Sequence, residues 1–223
     1  MKKQFLYIIL ISLFFTTFLG CNCYKKQILN SEDATYILKN INISENVGIT
    51  TTTQTNFNGI RTTSSQTDIY FEDKYYHSSE LSNILTKTWY GKINNVLYAF
   101  YYTKGKYNTE NKSSTRIEQS QLDATKKQPW NIIFNLFNGN GDLLPNHTIN
   151  GTKKGDIYIL QISNNTDTQN VHYTIKIKDN NIITVIKTDI IENDSITTTY
   201  NYNYSVTDIA LPSLTDYPLT VNN

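Results

Sequence analysis

Two segments near the C-terminus alternate apolar and polar residues without a break. Val171, Tyr173, Ile175 and Ile177 take every second position, with His172, Thr174, Lys176 and Lys178 between them. Ile196, Thr198, Tyr200, Tyr202, Tyr204 and Val206 do the same against Thr197, Thr199, Asn201, Asn203 and Ser205. A period of two sends successive side chains to opposite faces of a strand. Both segments therefore predict antiparallel sheet with one face buried and one wet. Ile157–Ile162 and Ile182–Ile190 are further strands of this half. Asn164-Asn165, Asp179-Asn180-Asn181 and Glu192-Asn193-Asp194 supply the turns.

The first half carries a similar pattern. Val47 to Thr55 and Ile60 to Phe71 are β-branched and polar and flank Asn58-Gly59, a pair that tolerates positive φ at both turn positions and so predicts a hairpin. Lys74–His77, Leu85–Ile93 and Val96–Thr103, the last after an Asn94-Asn95 turn, continue the series, and a polar strand follows at about Tyr107 to Gln119. Two stretches change period. Asn30-Ser31-Glu32-Asp33 starts a helix with Ser31 as its cap, and Ala34, Ile37, Leu38 and Ile41 form its apolar stripe. Between Ser120 and Phe137, residues Leu122, Trp130, Ile133, Phe134 and Phe137 follow helical spacing. Pro129 kinks this segment or begins a second helix. Asn138-Gly-Asn-Gly-Asp ends it.

The order is helix, strands, helix, strands, with none of the alternation that a parallel sheet needs. The expectation is an α+β fold, mostly antiparallel β, in one domain over 31–223. A long twisted meander tends to curl, which predicts a curved incomplete β-barrel with the helices packed in or over its concave face.

The first residues follow a different logic. Lys2 and Lys3 precede an apolar run from Phe5 to Leu19, about 15 residues long, and Gly20-Cys21 follows at once. That order is the order of an export signal, and the run is shorter than the roughly 20 residues of a membrane span. Phe18-Leu19-Gly20-Cys21 resembles the lipobox of bacterial lipoproteins. The resemblance implies a signal peptide over 1–20 and a diacylglyceryl group on Cys21. It also implies a flexible tether over 21–30 and a place on the extracytoplasmic face of a cell membrane. Cys23 is then a spare thiol in the tether.

The element order over about 30 to 215 is similar to that of the LolA family and the mycobacterial lipid-carrier lipoproteins. So is the close Val206-Thr-Asp-Ile-Ala-Leu-Pro212. That resemblance implies a hydrophobic cavity between sheet and helices that suits acyl chains. Its lining would come from Tyr98, Phe100, Tyr102, Trp130, Phe134, Ile175, Tyr200 and Tyr202. The competing reading is that these side chains fill a core.

Charge and chemistry narrow the functions. Twenty basic residues face 19 acidic ones, a net of +1, and loss of Lys2 and Lys3 with the leader leaves 18 against 19, or −1. No basic run or stripe remains to neutralise phosphates, which argues against nucleic acid as a partner. Cys21 and Cys23 are the only cysteines, so the chain holds neither a disulfide framework nor a thiolate metal site. His77, His147 and His172 lie far apart in sequence, and no G-x-S-x-G, H-E-x-x-H or phosphate-loop pattern occurs. No catalysis, metal or cofactor is expected, and no protein partner is indicated. Two functions remain: a membrane-anchored binder or carrier of a lipid or other amphipathic ligand, or a surface-exposed structural or interaction lipoprotein with a filled core.

Overall fold

The computed structural model describes residues 26–165 and 170–220. Cys21 and the leader lie outside the described residues. Strands β1 (Gln27–Leu29), β2 (Val47–Phe57), β3 (Ile60–Phe71), β4 (Lys74–Leu81), β5 (Ile84–Ile93), β6 (Val96–Lys104) and β7 (Glu110–Arg116) make up the first half. The second contains β8 (His147–Lys154), β9 (Ile157–Asn165), β10 (Asn170–Lys178), β11 (Asn181–Ile191) and β12 (Asp194–Asn203). Helix α1 (Ser31–Lys39) joins β1 to β2, and helix α2 (Gln119–Phe134) joins β7 to β8. Gln27–Leu29, at the end of the expected tether, already pair with β8.

All strands lie in one antiparallel sheet, ordered β1-β8-β9-β10-β11-β12-β2-β3-β4-β5-β6-β7. Two meanders, β2–β7 and β8–β12, run outward in opposite directions from the central β12–β2 pair. The left-handed turn residues Asn58-Gly59, Asn94-Asn95 and Asp179-Asn180 all have positive φ, as their hairpins require.

This architecture corrects the expected one. The curved incomplete β-barrel with helices in its concave face is not formed, and the half-barrel implied by the carrier resemblance falls with it. The sheet is open: β1 and β7 stand at its two ends and are not paired with each other. The outer edge of β7 is occupied by the chain's own C-terminal segment. Ser114 N donates to Pro218 O and Thr220 N donates to Ser114 O, each at 2.9 Å. A capped edge is not available to close a barrel. The two helices, nine and sixteen residues long, lie on one face of the sheet.

Register assigns that face residue by residue. Leu29, Gly151, Leu160, Ile175, Val185, Tyr200 and Thr51 stand opposite one another across seven neighbouring strands, and Tyr70, Tyr75, Tyr90 and Ala99 continue the same face. Buried Leu38 of α1 and Leu122, Trp130 and Ile133 of α2 complete one core with it. These side chains fill much of the space beneath the helices.

The opposite face is wet over β8–β12 but covered at the other end. After β12 the chain crosses it as an extended strap. Val206 reaches Gly48 of β2, Asp208 pairs with Lys74 of β4 at 2.6 Å, and Leu211 sits over Gly91 of β5. Tyr217 stacks edge-on against Phe100 of β6. The expected strand therefore ends at Asn203, and the residues to Pro212 belong to the strap. Pro129 lies inside one continuous helix, and β8 is a strand that its polar, Gly-containing sequence did not announce.

The rims of the sheet differ chemically. One carries the polar turns Glu72-Asp73, Asn94-Asn95, Gly155-Asp156 and Asp179-Asn180, and the chain enters β1 at this rim. The other carries exposed Phe57, Ile60, Leu81, Ile84, Tyr107 and Ile191 beside its turns.

Candidate functional site

The eight residues expected to line one cavity do not share a site. Tyr98, Phe100 and Tyr102 point to the strap side of the sheet and pack with Tyr217, Trp89, Ile93 and Leu214. Trp130 and Ile175 are buried in the helix-side core. Tyr202 is buried there as well, and its hydroxyl donates to the Pro129 carbonyl at 3.0 Å. Only Tyr200 and Phe134 border open space, and each borders a different depression.

The first depression is a cleft of about 440 Å³ between α2 and the sheet. Its floor comes from β2, β3, β4, β11, β12 and β10 through Ile49, Thr51, Gln66, Asp68, Tyr70, Tyr75, His77, Lys187, Tyr200 and Tyr173. Its roof is a helical stripe, Gln128, Asn131, Ile132 and Asn135, spaced three and four apart. A two-residue turn at Glu72-Asp73 sets Asp68 opposite His77 and Gln66 opposite Ser79. Asp68 Oδ1 accepts from the Tyr75 hydroxyl at 2.8 Å and lies 2.8 Å from His77 Nδ1, and Gln66 Nε2 donates to Oδ2 at 3.3 Å. Because a carboxylate only accepts, Nδ1 carries the hydrogen in the His77 contact. His77 Nε2 is 3.2 Å from Ser79 Oγ, which is 2.8 Å from Thr86 Oγ1.

The row Asp68–His77–Ser79 has the connectivity of a nucleophile relay, and none of it was anticipated from the histidines' separation in sequence. β4 is paired on both sides through Ser79, with Gln66 on β3 and Thr86 on β5. Asp68 and His77 lie in the cleft floor, whereas Ser79 borders a neighbouring depression with Thr51, Gln66 and Leu81.

Burial, with the Asp68 charge beside them, raises the phenol pKa values of Tyr70 and Tyr75 well above the ordinary range. Across the cleft, Lys187 Nζ lies 2.8 Å from Asp189 Oδ2. Among the described residues no group of His, Cys, Asp and Glu is arranged to hold a metal ion.

The second depression is an apolar groove of about 500 Å³ between the C-terminal ends of the two helices. Leu38, Ile41, Ile43, Ile133, Phe134 and Phe137 form its walls, and Gly139 and Gly141 border it. Phe134 is 45% exposed and Ile43 54%, more than isolated apolar residues of a packed core would be. Asn42 N donates to Asn180 O at 2.8 Å, which places the groove at the polar-turn rim, where the chain enters β1. Among the described residues no helix is long and apolar enough to cross a membrane. No family model matches this chain, and no curated protein matches it in sequence.

Proposed function

We propose that this chain is an extracytoplasmic protein held to a cell membrane by lipid on Cys21, and that it takes the acyl chain of a lipid or another amphipathic molecule in the groove between its helices. The observation that carries the reading is the position of that groove. It lies at the rim where the chain enters β1, a few residues after Cys21 in the sequence, so a membrane-bound chain holds it near the bilayer. Burying about six methylenes against Ile41, Ile43, Phe134 and Phe137 contributes roughly 5 kcal/mol, enough to hold a tail without a deep cavity.

Native mass spectrometry of the chain released from a lipid-containing host tests the groove. Co-purifying lipid is expected, and its loss in Phe134→Asp and Ile43→Asp variants that retain their circular dichroism. A clean apo mass for the unaltered chain overturns the ligand. Cys21→Ala tests the anchor separately and should move the protein from the membrane to the soluble fraction.

A second reading has its own observation. Phe57, Ile60, Leu81, Ile84, Tyr107 and Ile191 stand in a row on the rim opposite the tether. In an anchored chain that row faces outward, as an interaction lipoprotein without a ligand would need. An apo mass together with loss of self-association or partner binding in a Phe57→Ser/Ile60→Ser variant favours it.

A further inference from the structure

We infer that the cleft between α2 and the sheet is a binding site for a neutral, hydroxyl-rich ligand, a sugar either free or as the headgroup of a glycolipid. The inference is independent of the groove and of the anchor.

Tyr70 points to a ligand most directly. The residue is only 4% exposed and lines the cleft, and its hydroxyl makes no hydrogen bond to another described residue. A buried phenol ordinarily finds one. Its neighbours Tyr75 and Tyr202 do, on Asp68 and Pro129. The roof adds three solvent-exposed amide residues that border the cleft, Gln128, Asn131 and Asn135, whose side chains make no hydrogen bond to other described residues. Three amides and a phenol offer both donors and acceptors, which matches hydroxyl groups, themselves both donor and acceptor.

Charge excludes the other polar ligands. Lys187 is the one cation lining the cleft and is matched by Asp189. Asp68 already takes Tyr75, Gln66 and His77. Neither charge is free to select a phosphate or an amine, and the cleft holds no arginine to clamp a carboxylate. The rings of Tyr75, Tyr173 and Tyr200 add apolar walls, against which the C–H faces of a pyranose pack. A volume of about 440 Å³ lies within the range of small-molecule sites.

The test is saturation-transfer NMR and calorimetric titration of the full chain in a non-glycosidic detergent. The probes are glucose, galactose and N-acetylglucosamine, with glucose 6-phosphate as charged control. Vesicles of phosphatidylcholine with and without monogalactosyl diacylglycerol separate the headgroup from the free sugar. At least one neutral probe should bind with a Kd of about 1 mM or tighter. Tyr70→Phe, which removes one oxygen and keeps the packing, should weaken it about tenfold, and Asn131→Ala should weaken it without altering the circular dichroism. Phe134→Asp should leave free-sugar binding unchanged. The inference is overturned if no neutral probe binds, if the phosphorylated sugar binds more tightly than glucose, or if Tyr70→Phe and Asn131→Ala both bind as the unaltered chain does.

Discussion

The hydroxyl of Tyr202 on β12 donates to the main-chain carbonyl of Pro129 on α2 at 3.0 Å, and the ring of Tyr202 lies 5.6 Å from that of Trp130. One tyrosine thus ties the middle of the helix to the centre of the sheet, next to the residue that weakens the helix most. Pro129 supplies no N–H to the turn before it, so α2 depends on the sheet to stay in register at this point. Tyr202→Phe should cost about 1 kcal/mol, because the Pro129 carbonyl keeps its helical position and loses only one donor. Trp130→Ala should cost about 3–5 kcal/mol, since it leaves a large void in the core. Urea unfolding followed by circular dichroism checks both, and equal costs for the two variants would refute this division.

The strap offers a sharper measurement. A Cβ built on Gly91 would lie 2.5 Å from Leu211 Cδ1 and 2.8 Å from Cδ2, so an alanine there forces the Leu211 side chain to shift. Gly91→Ala should destabilise the chain by about 1–3 kcal/mol. In a Leu211→Ala background the same change should cost little, giving a clear coupling in a double-mutant cycle. Limited proteolysis should cut between Ser205 and Pro212 faster in Gly91→Ala. An additive cycle would show that the strap does not rest on β5.

Much of this was legible in the sequence at the level of strands and faces. The period-two residues of β10 and β12 point where the pattern put them, because a strand's faces follow from alternation alone. Which strands share a face is not local. Tyr98 and Tyr200 look equivalent in sequence, yet register places them on opposite sides of the sheet, and the expected cavity dissolved for that reason. The Asp68–His77 contact was hidden differently. It follows from counting outward from the Glu72-Asp73 turn, a step that needs the two strands to pair, and Ser79 lies beyond the expected strand end at His77. The open sheet goes with a C-terminal segment that covers the edge of β7, a contact between distant residues that no single segment encodes.

The start of α1 is a place where neighbouring residues compete for one role. Ser31 was the expected cap, but Asn30 has the extended backbone of a cap and its Oδ1 accepts from Asp33 N at 2.7 Å. Asn30→Ala should therefore destabilise by about 1 kcal/mol and Ser31→Ala by a few tenths at most. Thermal unfolding of the two variants separates them. A larger loss from Ser31→Ala would return the cap to that residue.

Alkaline unfolding should expose the tyrosine-rich core. Burial raises the phenol pKa values of Tyr70, Tyr75 and Tyr202 above the ordinary range, and that of Tyr204 to about 12. The neutral phenol is the form the fold accepts, so each group's folded pKa lies above its unfolded value near 10. Stability from these groups is fully present below pH 10. It is lost progressively as pH rises, because the unfolded chain then releases protons that the folded chain retains. A spectrophotometric titration should show two populations. One population should ionise without change in circular dichroism. The buried set should ionise at higher pH in one steep step that coincides with loss of the β-sheet signal. Tyr70→Phe and Tyr75→Phe each remove one such group and should shift that step to higher pH, even where they cost stability at pH 7. A single smooth titration of the tyrosines, with the sheet intact throughout, would mean that the helices do not cover this face in solution.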